Sequence, residues 1–327
     1  MGERGLYKFG GVLFIALLAI AAVAYLTDGG RSAAEAALSE PVTRDVAPAE
    51  ARADDAATPA DAVCVPDGAP RPMDSDIRES SGVAASAAHA GIFWTHNDSG
   101  EPLLYAVDAR GRTAGRVRVT GAAVEDWEDV ARAPCPGGGD CLYVADIGDN
   151  DARRPSVTIY RVPEPAPGDA ASAPAAALRL RYPDGAHDAE ALFVLGGIIH
   201  VVTKGESGPL AVYRAPADVA PGAEGVMERV RALSPEKVDR ARRVTGADAS
   251  PDGRWIALRT LGEVEIHPAA TLTGDGALSP RRVDLRALDE TQGEGIGFAP
   301  DGSLVLTSEG GGKGRPATFA RLSCTLQ

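Results

Sequence analysis

Five oxygen-bearing residues open short apolar runs at comparable places along the chain: Ser81-Gly-Val-Ala-Ala, Glu128-Asp-Val-Ala-Arg, Glu190-Ala-Leu-Phe-Val, Thr245-Gly-Ala-Asp-Ala and Glu294-Gly-Ile-Gly-Phe. Three carboxylates brought to one point would repel one another and take up protons unless a cation stood among them. A donor set of oxygens alone, without Cys or a recurring His, suits a hard ion, and mixed carboxylate and hydroxyl ligands suit Ca2+ better than Mg2+. These five are therefore expected to hold one Ca2+. A second set gathers at the ends of the runs that follow, Asp146, Lys204 and Arg259, or just before the first runs, His187 and Asp188. His96, Asn97, Asp98, Asp126, Asp149, Asn150 and Glu309 fall at related places. Such a mouth could hydrolyse a phosphorylated or other anionic small molecule. The metal would polarise the substrate, Lys204 and Arg259 would neutralise developing charge, and Asp146, His187 or Asp188 would take a proton from water. Taken singly, each Asp-Asn-Gly cluster is ordinary turn chemistry; the common placement is what makes a site. Asp146 to Asp151 is no EF-hand, because Val157 stands where that loop needs its Glu.

What must position these groups is an internal repeat. Thr245 and Glu294 each begin a short strand that runs into a Pro-Asp-Gly turn, at Pro251 and Pro300, and then into a second apolar strand. Comparable starts at Ser81, Glu128 and Glu190 give five units. Second strands read IFWTHN, CLYVAD, IIHVVTK, WIALRT and LVLTSE; third strands read LLYAVD, VTIYRVP, LAVYRAP, VEIHPA and ATFARL. Fourth strands, GRVRVTG, ALRLRYP, MERVRAL and PRRVDL, follow in four units only, because the fifth runs out of chain. The pattern predicts an all-β, five-bladed β-propeller over 63–327, a six-bladed ring being the alternative. In such a ring the five inner strands point their first residues at the axis. The missing strand is expected from the segment between Cys64 and Ser80, which would remove both free sheet edges. Cys64 and Cys324 are then expected to bridge, closing the ring with a loop worth ~4 to 5 kcal/mol in the chain-entropy model. Cys135 and Cys141 would pin a local hairpin.

The compartment follows from the N-terminus. Residues 10–26, GGVLFIALLAIAAVAYL, are uncharged and follow Arg4 and Lys8, so 1–26 reads as a signal anchor, or alternatively a cleaved signal peptide, with the remainder exported. Residues 27–62 are Ala, Pro and acidic residues with almost no large apolar side chains, a disordered tether by composition. An exported chain permits the two disulfides. The net charge of −13 excludes nucleic-acid binding through general basic attraction, and 38 Gly with 24 Pro against 5% aromatics favour many short strands and turns over long helices. No G-x-S-x-G, H-E-x-x-H or Walker loop is present, and Gly310 to Gly314 reads as a hairpin tip. Trp94, Trp127 and Trp255 read as core.

The order Ser81, Glu128, Glu190, Thr245, Glu294 resembles the axial ligands of the calcium-activated nucleotidases, or soluble apyrases, which are five-bladed propellers with a central Ca2+. Thr245 stands where that family has Ser, keeping the hydroxyl. The resemblance covers five positions and a blade count, and it implies a metal site and nucleotide hydrolysis. The segments THNDSG (95–100), DWED (126–129), DIGDN (146–150) and HDAEAL (187–192) resemble motifs of uncharacterised exported bacterial propeller proteins. The sequence therefore predicts a monomeric, membrane-tethered propeller with an axial Ca2+. Its partner is expected to be a small anionic ligand or an envelope component, and calcium is purely structural in the noncatalytic alternative.

Overall fold

The computed structural model describes residues 63–326. The expected signal segment 1–26 and tether 27–62 lie outside the described residues, and among the described residues no helix is long and apolar enough to cross a membrane. The five units fold into five antiparallel sheets, and a five-bladed propeller results. Blade 1 comprises Ser80–Ala85, Ile92–Asn97, Leu103–Asp108 and Thr113–Arg118. Blade 2 comprises Trp127–Pro134, Asp140–Asp146, Val157–Pro163 and Ala176–Arg181, with Glu224–Val226 added in parallel along its outer edge. Blades 3 and 4 begin at Ala189–Leu195 and Val244–Ala249 and end at Glu228–Ser234 and Arg281–Asp284.

Blade 5 has three strands of its own, Gln292–Phe298, Leu304–Glu309 and Thr318–Cys324, and is completed from the other terminus. Cys64–Pro66 and Arg71–Pro72 both pair antiparallel with Thr318–Cys324, putting Cys64 opposite Cys324, and the two are disulfide-bonded. The Cys135–Cys141 bridge also forms. The chain thus hides its last edge strand under its own start.

The core lies in the seams between blades, where alternate residues of facing sheets interleave. Ala131, Tyr143, Ile159 and Leu178 of blade 2 pack with Leu192, Val201 and Tyr213 of blade 3, and each remaining seam has a comparable apolar cluster. Trp94 and Trp127 are buried in the seam of blades 1 and 2 as expected. The inner strands crowd the axis and need small residues there: a Cβ at Gly82 would strike the backbone of Asp129 and Val130 in the next blade.

Candidate functional site

Every inner strand slips in register against its neighbour near its first residues. The slips fall between Ser80 and Val83, Trp127 and Asp129, Ala189 and Ala191, Val244 and Gly246, and Gly293 and Ile296. Ser81, Glu128, Glu190, Thr245 and Glu294 each sit inside one of these slips. A bulge leaves its extra residue out of the ladder and re-aims the side chain. Here one bulge per blade serves the five expected axial residues, and all five are buried. Thr245 Oγ1 donates to the Glu294 carbonyl at 3.3 Å, which ties blades 4 and 5 at this level. Gly148, after the second strand of blade 2, lies where any Cβ would collide with the Asp126 and Glu128 carboxyls. A side chain there would fill the space beside them.

The electrostatics of the mouth are those of a cluster short of positive charge. Burial, then the charges of Glu190, Asp126 and Glu294, holds the Glu128 carboxyl well above the usual range. Burial, Glu190 and Glu309 do the same to Glu294. Burial pushes Glu190 up to about 7 even though Lys204 pairs with it. Burial raises Glu309 to about 7 and Asp98 to about 6, and it raises Asp126 and Asp188 as well. Lys204 carries the local positive charge. Burial opposes that charge, but Glu190 and Asp188 hold the ammonium above its usual range. Its Nζ contacts Glu190, lies 3.4 Å from Glu206 and 3.9 Å from Asp188, whose Oδ2 is buried without a hydrogen-bond partner. Among the described residues no three His, Cys, Asp or Glu side chains are grouped closely enough to hold a metal ion. The bulged donors match Ca2+ in type, being oxygens alone, and the Glu128 and Glu294 carboxyls face mainly other carboxyls. Lys204 is the cation already present beside Glu190.

The second expected set is only partly brought together. Asp188 and Lys204 join the mouth. Asp146 turns away from it, accepting from the amides of Glu125 and Asp126 at 3.1 Å each and pairing with Arg154 at 2.9 Å, so it braces the segment that presents Asp126. Asp149 closes its own loop by accepting from the amides of Arg153 and Arg154. The expectation for Arg259 as a substrate-facing cation is corrected. Its side chain is fully buried, and its guanidinium donates to the carbonyls of Gly295 and Thr307 and to Glu290, locking blade 4 to blade 5. His96 is likewise buried, held as a neutral imidazole at about 4 by burial, with its ring edge-on to Trp127. His187 lies in an aromatic nest of Tyr182 and Tyr213, its Nε2 2.9 Å from Asp184 and 3.1 Å from the Tyr213 hydroxyl.

Several residues that matter were not singled out from the sequence. Asp129, one position after the Glu128 bulge, accepts from the amides of Val130, Leu192 and Ala247, and so links blades 2, 3 and 4 across the ring. Asp248 accepts from Ala249 and from Phe298 of blade 5. Asp184, the partner of His187, was legible as the Asp of a Pro-Asp-Gly turn three residues earlier. Glu206, Arg240 and Arg243 line a mouth cavity of about 240 Å3 together with Glu190, Lys204, Thr245, Leu261, Gln292 and Glu294. Only the tertiary structure brings that loop to the axis.

No family model matches the chain, and no curated protein matches it. Among solved structures, the chain is similar to the PQQ-bound aldose sugar dehydrogenase of Streptomyces coelicolor, with a TM-score of 0.48 and 12% identity over 80% of this chain and 98% of that one. It is similar to the calcium-binding protein regucalcin of Agrobacterium tumefaciens, with a TM-score of 0.43 and 16% identity over 79% and 96% of the two chains. A gluconolactonase of Xanthomonas campestris gives a TM-score of 0.39 and 13% identity over 80% and 96%. None of the three is a nucleotidase by name. At these levels the likeness carries no argument about the site or its chemistry.

Proposed function

We propose that the chain is an exported, membrane-tethered propeller whose axial bulges bind Ca2+, and that it hydrolyses a small phosphorylated or otherwise anionic molecule at that mouth. The observation that carries this reading is the delivery of Ser81, Glu128, Glu190, Thr245 and Glu294 by five separate bulges to one buried end of the ring. Bulges cluster next to functional sites because they re-aim side chains at a cost in ladder pairing. Ca2+ would be held by those five residues and would supply a Lewis acid and a focus for anionic substrate. This chain's own part is to orient and neutralise. Asp188 and Glu206 hold Lys204, and Asp146 with Arg154 fixes the segment bearing Asp126. Two disulfides support an oxidising compartment.

A second reading, a noncatalytic propeller that binds an envelope component and uses calcium only to hold its blades, is favoured by one observation. Arg259, Asp146 and His96 are all committed to the framework. The purified full chain in detergent separates the two. Calorimetric titration should detect bound Ca2+ in wild type, and turnover of nucleoside diphosphates or generic phosphoesters that stops with chelator supports the hydrolase. Calcium binding without turnover across phosphatase and esterase panels supports the second reading, and the lack of any divalent-ion binding rejects both.

A further inference from the structure

The expected anion-binding cations do not serve that purpose, since Arg259 is sealed between blades and Lys204 is enclosed by Glu190, Asp188 and Glu206. The mouth cavity has two other cations on its wall. Arg240 opens, and Arg243 follows, the 3-10 turn Arg240–Arg242 that leads into the inner strand of blade 4, and the Asp239 carboxyl accepts from the Arg242 amide to hold the turn. The turn sets both side chains beside Thr245 and Glu294. Arg243 Nη1 pairs with Glu206 at 2.6 Å while its Nε is buried without a hydrogen-bond partner, and Arg240 makes no ion pair among the described residues. Charges thus alternate from the rim inwards: Arg243, Glu206, Lys204, Glu190.

Three cations, Lys204, Arg240 and Arg243, face three carboxylates, Glu190, Glu206 and Glu294, around this cavity. A lining balanced in this way holds an anion weakly, through Arg240, the one cation of the three with no ion pair among the described residues. Adding a divalent cation at the bulged residues would tip the balance further towards the anion and tighten its hold on the Arg240 guanidinium. Guanidinium groups suit phosphoryl oxygens because their paired N–H donors match two oxygens at once. The cavity, about 240 Å3, is smaller than the ~300–1,000 Å3 of sites that enclose drug-sized ligands, so it accommodates a phosphoryl group with a small body, or the phosphoryl end of something larger.

We infer that Arg240 and Arg243 form the phosphoryl-binding rim of the mouth, recognising a phosphate monoester, with the anion and the axial cation strengthening each other's binding. The cooperative part rests on the calcium reading above; the rim itself does not. Linkage requires the enhancement to be reciprocal, so the factor by which Ca2+ tightens the anion is the factor by which the anion tightens Ca2+.

The test uses the full chain, titrated with methyl phosphate and with acetate, each in Ca2+ and in chelator, and compares wild type with Arg240→Ala and Arg240→Lys. Arg240 is exposed, so both variants keep the fold. Methyl phosphate is expected to bind more tightly in Ca2+, and Arg240→Ala to weaken it at least about tenfold without weakening Ca2+ affinity measured alone. Arg240→Lys should recover part of the loss. Equal methyl phosphate binding by wild type and Arg240→Ala, or acetate binding without methyl phosphate binding, overturns the inference. If wild type binds no Ca2+, the calcium reading and the cooperative part fail together. The rim is then judged in chelator alone, supported by weakening on Arg240→Ala and overturned by the absence of methyl phosphate binding.

Discussion

Two sets of buried carboxyls lie on the inner strands of the ring, and they are treated in opposite ways. Asp129 and Asp248 stand in the ring interior and receive backbone N–H donors from other blades, at 2.8 Å from Leu192, 3.2 Å from Ala247 and 2.8 Å from Phe298. Glu128, Glu190 and Glu294 stand in the bulges at the mouth, where the charges that act on Glu128 and Glu294 are mostly those of other carboxyls and Glu190 alone pairs with Lys204. Burial raises the pKa of both sets, so titration alone does not tell them apart. Their partners do. A carboxyl supplied with donors by the fold is a strut, whereas one left facing its like keeps its proton unless a cation is brought beside it.

The sharpest way to break this comparison is Asp129→Ala. It would strand the amides of Leu192 and Ala247 in the centre of the ring and should cost about 4 kcal/mol, read from the urea midpoint in excess Ca2+. Asp129→Asn, which keeps an acceptor oxygen, should lose less and remain measurable if the alanine variant fails to fold. A loss no larger than that from a mouth substitution would erase the distinction.

A smaller effect comes from pH in chelator. Glu190, Glu309 and Asp248, each at about 7, and Glu128, Glu294 and Asp129 above the usual range, all have folded pKa values raised over their unfolded ones. Their contribution is therefore present at low pH and lost as pH rises through the folded values. Below about pH 6.5 two buried imidazoles oppose this, since burial pushes His96 and His200 down to about 4 and their protonation disfavours folding. From pH 6.5 to 8.5 the carboxyls act alone, and the melting temperature should fall by roughly 5 °C. Saturating Ca2+ should remove the part due to the mouth and leave the part due to Asp248 and Asp129, which Asp248→Asn would then reduce. A flat profile in chelator would refute the charge deficit.

The smallest effect has the most telling sign. Glu294→Gln removes one like charge from the mouth, so in chelator it should leave stability unchanged or raise it by up to about 1 kcal/mol, while cancelling most of the stabilisation that Ca2+ gives wild type. Thermal melts with and without the ion read both quantities. A destabilised variant in chelator would make Glu294 a strut like Asp129.

Much of this was legible in the chain. Trp255–Thr260 and Leu304–Glu309 were visible as strands because a Pro-Asp-Gly turn precedes each and their apolar residues run unbroken, as buried strands do. The pairing of Cys64 with Cys324 followed from one missing strand and one spare segment. The five axial residues were found because each opens its unit. The errors share a cause. Arg259 comes near the end of its strand as Lys204 does, but Thr260 pairs with Val244 as Thr203 pairs with Ala189, so Arg259 lies one place inside its strand end, against blade 5, and Lys204 one place beyond its own. Asp129 was hidden by its neighbour Glu128, because adjacent residues on a strand differ in the face they present, and only a bulge between Trp127 and Asp129 decides which of them faces the mouth.

The sequence by itself determined the number of blades, the order of their strands and the closure of the propeller by its own end segments, because turn chemistry, apolar periodicity and cysteine position are local or countable properties. The tertiary structure alone decided which carboxyls are satisfied, which cations are free and which loop meets the mouth. Those depend on bulges and on hydrogen bonds between blades, whose partners lie as far apart in the chain as Asp129 and Ala247, and no local pattern records such a contact.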